Sequence, residues 1–387
     1  MRIAYVCETC PSEINGVALT AERTVRHLRA AGHAVQLIRP RQPSESARRD
    51  ADEWRCAGGP VPLAPGLHYG WATPAALRML WQEAGALPDV VHVATPGPLG
   101  WAALRAARSL GLATSADFHA HASAHRGHYG LGWLEPVALG YLKRLYAMAD
   151  ATFVPTPELH DQLAARGFQR LQVLGRGVDA QQFSPERRDQ RLRGDWRVAN
   201  DHRVMLYVGR LSPEKNAALA LQTFERLSAR RPGLRMVVVG DGPQRQALER
   251  AHPRARFVGM QTGAGLARYY ASADVFLFPS LADTFGNVTL EALASGLAVA
   301  AFDTGAAGQL VRDGVSGCLA PPCEGLAAAD AFLAASTRAL DASALDGPLR
   351  KQARLAAIQA RWVSVQYRFE RQLAELAAAG GAARLAA

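Results

Sequence analysis

The sequence predicts a parallel α/β protein built from two doubly wound domains, and three observations carry that expectation. Short runs rich in Val, Ile, Leu and Phe alternate with amphipathic helical stretches along the chain. The alternation restarts at Val204-Met-Leu-Tyr-Val208, after a polar and charged stretch from Phe183 to Asp195 that reads as an interdomain connection. The 387 residues are enough for two domains of ordinary size, each with its own core.

In chain order, strands are expected near residues 2–7, 33–38, 89–93, 112–118, 152–154 and 171–174 in the first half. The second half continues from 204–208 through 236–239, 256–258, 274–278 and 297–301. Asp274-Val-Phe-Leu-Phe-Pro279 shows the logic: β-branched and aromatic residues favour a strand, and proline, which has no N–H to donate, ends it. The boundaries that follow are 1–180 for the first domain, 181–360 for the second and 361–387 for a closing segment. That segment is helical in pattern from about Pro348 to Ala377, with a frayed tail after it. In such sheets ligands sit at the C-terminal ends of the strands, so the domains are expected to face a shared central cleft.

Composition narrows the partners. Forty-four Lys and Arg against 34 Asp and Glu give a net charge of +10, which favours an anionic ligand such as a nucleotide-sugar or an acidic lipid surface. Nucleic acid is not expected, because the basic residues are dispersed arginines with no aromatic-interleaved stripe. The five cysteines are odd in number and scattered, which argues for a reducing, cytoplasmic setting. Cys7 and Cys10 form a Cys-x-x-Cys that lacks a second ligand pair, so they read as a strand-end thiol and a loop thiol. No apolar run approaches the roughly 20 residues that span a bilayer. The chain opens directly on a strand, so no secretory signal is expected.

Two motifs carry chemistry. Asp283 and Glu291, with seven residues between them, lie in Ser280-Leu-Ala-Asp-Thr-Phe-Gly-Asn-Val-Thr-Leu-Glu291, where a strand passes into a helix. Helical side chains lean back toward the N-terminus, so Glu291 is expected to point where Asp283 points. The free N–H groups around Phe285, Gly286 and Asn287 attract anions to the same place. A lone acid pair at this spacing is more often a pair of solvated surface acids; the flanking strand, the Phe-Gly-Asn insert and the helix favour a site. The second motif is Tyr207-Val-Gly-Arg-Leu-Ser-Pro-Glu-Lys-Asn216. Ser212 can cap a helix with Pro213 in its first position, which puts Lys215 in the first turn, against the helix dipole. A bound diphosphate between Arg210 and Lys215 would compensate.

These segments resemble the retaining glycosyltransferases of family 4, which have the GT-B fold, and Gly240-Asp-Gly-Pro243, Val258-Gly-Met-Gln261 and Gly175-Arg-Gly-Val-Asp179 extend the resemblance over nearly the whole chain. The family pattern has Glu at both acid positions, and here the first is Asp283. The resemblance implies that Arg210 and Lys215 hold the donor diphosphate, that Glu291 holds the ribose hydroxyls, and that Asp283 and His119 face the transferred sugar. It adds Gly16 for the leaving diphosphate and the main chain near Val258 and Met260 for the base. It also implies that the last helix returns to the first domain and that transfer retains configuration with no enzyme nucleophile. No metal and no cofactor are expected, since the only Asp-x-Asp, Asp50-Ala-Asp52, lies in a charged loop and His121, His125 and His128 read as a polar lid. Within the family the likeness is to the GDP-mannose-dependent and the sulfoquinovosyl- or glucosyl-transferring branches. That implies a hexose, first mannose from GDP-mannose, moved to a lipid or glycan acceptor by a cytoplasmic protein peripheral at the inner membrane face. The competing readings are a nucleotide-sugar epimerase of the same fold, a phosphorylase, for which no pyridoxal-binding lysine is seen, and a non-catalytic sugar-binding protein. The last would leave Lys215 beside Arg210 without a purpose.

Overall fold

The computed structural model describes residues 1–9, 16–42, 45–61, 68–83, 87–118, 135–199, 202–280, 285–323 and 325–385. They fall into two compact units. One holds the described residues up to Gly175 together with those from Val365 onward, and the other those from Arg176 to Ser364.

The first unit opens with β1 (Arg2–Val6), α1 (Gly16–Ala30), β2 (Ala34–Pro40), β3 (Glu53–Pro60), β4 (His68–Trp71) and α2 (Pro74–Glu83). It continues with β5 (Val90–Val93), α3 (Pro98–Ser109), β6 (Ala113–Asp117), α4 (Glu135–Tyr146), β7 (Ala151–Val154), α5 (Pro157–Ala165) and β8 (Leu171–Val173). The strands form one sheet in the order β4-β3-β2-β1-β5-β6-β7-β8. Every pairing is parallel except that of β3 with β4. The pattern in sequence misses β3 and β4. They lie at the edge of the sheet, and β3 buries only Glu53 and Cys56, so no apolar alternation marks it.

The second unit contains α6 (Gln190–Asp195), β9 (Val204–Val208), α7 (Ala217–Ser228), β10 (Arg235–Val239), α8 (Arg245–Ala251), β11 (Ala255–Phe257) and α9 (Gly263–Ser272). Then come β12 (Val275–Phe278), α10 (Asn287–Ala294), β13 (Ala298–Phe302), α11 (Gly305–Leu310), β14 (Cys318–Ala320), α12 (Gly325–Asp341) and α13 (Pro348–Gln359). Its sheet is wholly parallel, in the order β11-β10-β9-β12-β13-β14. This is the doubly wound order 3-2-1-4-5-6, whose connections reverse direction between β9 and β12. Strands β9, β10, β12 and β13 are buried on both faces, and the apolar layers on the two sides form separate cores.

Three expectations need correction. The stretch from Phe183 to Asp195 is no loose connection: it lies inside the second unit as a 3₁₀ turn (Pro185–Arg187) and α6, with Arg193 only 4% exposed. The closing helix is two helices, α13 and α14 (Trp362–Leu385). Between them Arg361 forms a strand-like bridge with Val178, whose N–H donates to the Ala360 carbonyl at 2.9 Å. The helix also continues past Ala377, since α14 runs to Leu385 and Gly380 packs against Ala113. Glu370 ties α14 to the start of the first unit by accepting from His33 at 2.9 Å and His27 at 3.2 Å.

Candidate functional site

The second unit's switch point is flanked by the loops after β9 and β12, and both sequence motifs lie on them. β9 ends at Val208, Gly209 follows, and Arg210 stands exposed beside the fully buried Leu211. No hydrogen bond or ion pair engages the Arg210 guanidinium among the described residues. The expected helix start is displaced. Ser212 begins a 3₁₀ turn, Pro213–Lys215, and its Oγ donates to Glu214 Oε1 at 2.6 Å instead of capping. Asn216 then adopts φ 52°, a left-handed conformation that asparagine tolerates, and α7 starts only at Ala217. Lys215 therefore ends the short turn, half-buried, rather than occupying the first turn of α7. The loop is wrapped around Tyr207, whose buried hydroxyl lies 3.2 Å from the Arg210 carbonyl and 3.4 Å from that of Lys215.

Neighbouring loops close on this one. Leu211 N–H donates to the Asp241 carbonyl at 2.8 Å, and Gln244 N–H donates to the Leu211 carbonyl at 3.0 Å. Gly240, at φ +135°, lies where a Cβ would come within 1.9 Å of the Gly209 carbonyl, so only glycine allows this approach. Its N–H donates to the Gly259 carbonyl at 2.9 Å, which adds the loop after β11. There Val258 is half-buried and Met260 is 52% exposed.

On the β12 side Ser280 Oγ donates to the Glu214 carbonyl at 3.4 Å, so the two motif loops touch. Phe285 is buried, and its carbonyl accepts from Ala306 N–H at 2.6 Å. Gly286, at φ 92°, forms the N-cap of α10 without a side-chain cap, and Asn287 Oδ1 is buried with no partner. Glu291, half-buried and in the second turn of α10, accepts a hydrogen bond from Tyr270 Oη at 3.0 Å. Burial first, and the Glu291 charge second, push the Tyr270 hydroxyl well above the ordinary tyrosine value, so it stays a donor.

Arg210, Lys215, Val258, Met260, Phe285, Gly286, Asn287 and Glu291 thus all lie on loops or helix starts at the strand C-termini of one sheet. Asp283 and His119 lie outside the described residues, as do Cys10, His121, His125 and His128. Gly16, in the first unit, is the exposed first residue of α1. Cys7 is buried, with its Sγ 3.1 Å from Thr9 Oγ1. Asp50 serves a turn: it pairs with Arg48 at 2.7 Å and accepts the N–H groups of Asp52 and Glu53. Among the described residues no group of three His, Cys, Asp or Glu side chains is placed to hold a metal ion. Arg176 is buried, and Gly177 packs on the backbone of Trp362.

Glu8 is a residue that the sequence reading missed. It follows β1 at the first sheet's own switch point, is 6% exposed, and its carboxylate accepts Leu99 N–H at 2.6 Å, capping α3 from a distant part of the chain. Its own N–H donates to Thr95 Oγ1 at 2.8 Å. Gly97 has no room for a Cβ, which would fall 1.6 Å from Glu8 Oε2. Burial pushes the Glu8 carboxyl up to about 7, against the lowering effect of the N–H groups of Leu99, Gly100 and Gly70. An acid at the end of the buried apolar run Ile3–Cys7, where nothing local can satisfy it, is the signal that could have marked it.

The architecture is shared with solved glycosyltransferases. Sucrose-phosphate synthase from Thermosynechococcus elongatus superposes with a TM-score of 0.78 over 98% of this chain and 100% of that one, at 20% identity. The Anabaena protein HepE, in complex with UDP and glucose, does so with a TM-score of 0.72 over 97% and 99%, at 19% identity. The two parallel sheets, each open at its switch point, are those of a GT-B glycosyltransferase. Residues 14–182 match the family described as "Glycosyltransferase Family 4", and residues 202–338 the one described as "Glycosyl transferases group 1". A GDP-mannose-dependent alpha-mannosyltransferase of Mycolicibacterium smegmatis is 37% identical over 82% of this chain and 84% of its own. One from Mycobacterium tuberculosis is 35% identical over 83% and 84%. A phosphatidyl-myo-inositol mannosyltransferase of Mycolicibacterium smegmatis is 29% identical over 85% and 83%. The chain belongs to glycosyltransferase family 4 and is a hexose-transferring enzyme.

Proposed function

We propose that the enzyme takes a hexose, first of all mannose from GDP-mannose, and transfers it to a lipid or glycan acceptor with retention of configuration and without a metal. The observation that carries this reading is the meeting of the Arg210 loop, the Gly240 loop and the Gly286 helix start at one switch point. The names of the mannosyltransferases that are 37% and 35% identical support the donor. The phosphatidyl-myo-inositol mannosyltransferase and the net charge of +10 support an acceptor at a membrane surface. Among the described residues no helix is long and apolar enough to cross a membrane, and the proposed location is cytoplasmic, peripheral at the inner face.

In this reading Arg210 and Lys215 neutralise the diphosphate, Glu291, held by Tyr270, accepts from the ribose hydroxyls, and the main chain near Val258 and Met260 takes the base. The resemblance adds Gly16 for the diphosphate and Asp283 and His119 for the hexose. The bond between the anomeric carbon and the diphosphate oxygen breaks, and its electron pair leaves on the diphosphate. The acceptor oxygen bonds to the same face of the sugar, and its proton passes to the departing diphosphate. The two cations stabilise the charge that develops there, so neither acid serves as a nucleophile.

Calorimetric titration with GDP-mannose, UDP-glucose and UDP-N-acetylglucosamine, followed by slow donor hydrolysis in EDTA, tests the proposal. GDP-mannose is expected to bind tightest and to be hydrolysed in the chelator. Failure to bind any of the three would overturn the donor reading. Activity lost in EDTA and restored by manganese would overturn the metal-independent one.

A further inference from the structure

The first unit carries a depression of about 550 Å³ that takes no part in the donor reading, a volume in the range of small-molecule sites. Its walls are Trp71 at the end of β4, Pro96 and Pro98 at the start of α3, Trp101 within α3, and Tyr141 on α4. Trp71 leaves 61% of its surface in solvent and so offers an indole face to a ligand in the depression. Trp101 and Tyr141 stack with ring centroids 5.2 Å apart and planes 19° from parallel, presenting a continuous aromatic wall.

The polar groups decide the class of ligand. The Tyr141 hydroxyl donates to the Pro96 carbonyl at 2.8 Å, and Thr73 Oγ1 accepts Ala76 N–H at 3.1 Å, so the tyrosine proton is taken and of the two wall hydroxyls only Thr73 keeps its O–H for a ligand. Burial first and the Glu8 charge second push the Tyr141 hydroxyl up to about 12, so it stays a donor to Pro96. A pyranose would bring several hydroxyls that need partners here, whereas a polymethylene chain needs none. Arg105 lines the same depression, is exposed, and has no hydrogen bond or ion pair among the described residues. Arg105 is the charged residue among those that line the depression.

We infer that this depression holds an aliphatic chain of an anionic amphiphile, the acyl part of a lipid acceptor, with Arg105 against the negative charge of its headgroup. This rests on the lipid-acceptor reading above and gives that acceptor a place and a chemistry. Each buried methylene contributes roughly a fourfold gain in affinity. The full chain is therefore titrated with 1-hexanoyl and 1-octanoyl glycerol 3-phosphate below their micelle concentrations, with glycerol 3-phosphate and 1-octanoylglycerol as comparisons. The octanoyl compound is expected to bind roughly fifteenfold tighter than the hexanoyl one. Trp71→Ala, a change at an exposed side chain, should abolish most of that difference, and Trp71→Phe should restore part of it. Arg105→Ala should weaken the phosphate compounds several-fold and leave 1-octanoylglycerol unchanged. Affinity independent of chain length, equal competition by glycerol 3-phosphate, or wild-type binding in Trp71→Ala would each overturn the inference. GDP-mannose titrated into the same preparations separates the two readings: donor binding without chain dependence sinks the acyl site alone, and chain dependence without donor binding sinks the donor reading alone.

Discussion

The two ends of the second sheet treat arginine in opposite ways. At the N-terminal end of β12, Asp274 accepts from Arg188 at 2.9 Å, Arg193 at 3.0 Å and Arg350 at 3.3 Å, and also from Val204 N–H at 2.9 Å. The same guanidiniums reach the carbonyls of Ala271, Ala273, Ser272 and Gly296. At the C-terminal end of β9, Arg210 reaches out with no such partner among the described residues. One arginine group is architecture, since its guanidiniums are held by a carboxylate and main-chain carbonyls inside the protein; the other is left for something the protein does not contain. A cation without a partner at a switch point is therefore the more informative of the two.

The largest effect expected on this comparison is Asp274→Asn. Three buried or half-buried guanidiniums would lose their carboxylate, and breaking such a cluster costs about 3–5 kcal/mol. Urea unfolding of the whole chain should show that loss; a cost below about 1 kcal/mol would make the cluster dispensable. Burial alone would raise the Asp274 carboxyl, but the charges of Arg188, Arg193 and Arg350 together outweigh it and hold the group below the usual carboxylate value. Its contribution is therefore present above the ordinary aspartate value and is lost as pH falls through the depressed one. Burial likewise pushes Arg350 down to about 10, against the raising effect of the Asp274 charge.

At the other end, Arg210→Ala and Lys215→Ala should each lower turnover by about 10²- to 10³-fold, the usual cost of losing a group that stabilises developing charge. Thermal unfolding should barely change, because Arg210 is exposed and Lys215 ends a short surface turn. Unchanged affinity for GDP in either variant would remove the diphosphate assignment and with it the functional half of the comparison.

Glu8 sharpens the contrast from the first unit, because it is as buried as Asp274 but has backbone N–H groups where Asp274 has arginines. Its carboxyl is raised to about 7, so the stability it contributes is complete below the ordinary glutamate value and falls as pH rises toward 7. The full swing is at most about 3 kcal/mol. Glu8→Gln imitates the protonated form and should melt above the parent at pH 8 and close to it at pH 4.5. An equal difference at both pH values would show that Glu8 titrates as an ordinary carboxylate.

Much of this was legible in the sequence, and the division follows the range of the interactions. The central strands announce themselves by continuous apolar runs, whereas β3, β4 and β14 are edge strands or lie next to an edge and carry no such run. The loops after β9, β10 and β12 were readable because glycine and proline punctuate them locally. What could not be read joins distant positions. Glu8 and Leu99 are 91 residues apart, Asp274 and Arg193 are 81 apart, and the polar stretch from Phe183 to Asp195 looks solvated until Asp274 is brought beside it. The misplaced start of α7 is the exception, a local error in which the left-handed Asn216 overrode a good capping sequence.

The smallest effects concern the acids themselves. Glu291 is held from behind by Tyr270 Oη at 3.0 Å, a donor buried in the core and out of reach of any ligand. Glu291→Gln removes the charge from the proposed ribose contact and should cost about 1.5–3 kcal/mol in the binding of both GDP and GDP-mannose. Tyr270→Phe leaves the carboxylate in place but frees it to turn, so the cost should be about 1 kcal/mol, again shared by nucleotide and donor. Asp283→Asn is expected to behave differently, weakening GDP-mannose and turnover while sparing GDP, because the proposal gives it the hexose and not the nucleoside. Titrating the three variants with both ligands yields a pattern rather than a single loss. If Asp283→Asn weakened GDP while Glu291→Gln spared it, the roles of the two acids would be exchanged, and a Tyr270→Phe effect confined to GDP-mannose would place Glu291 against the sugar.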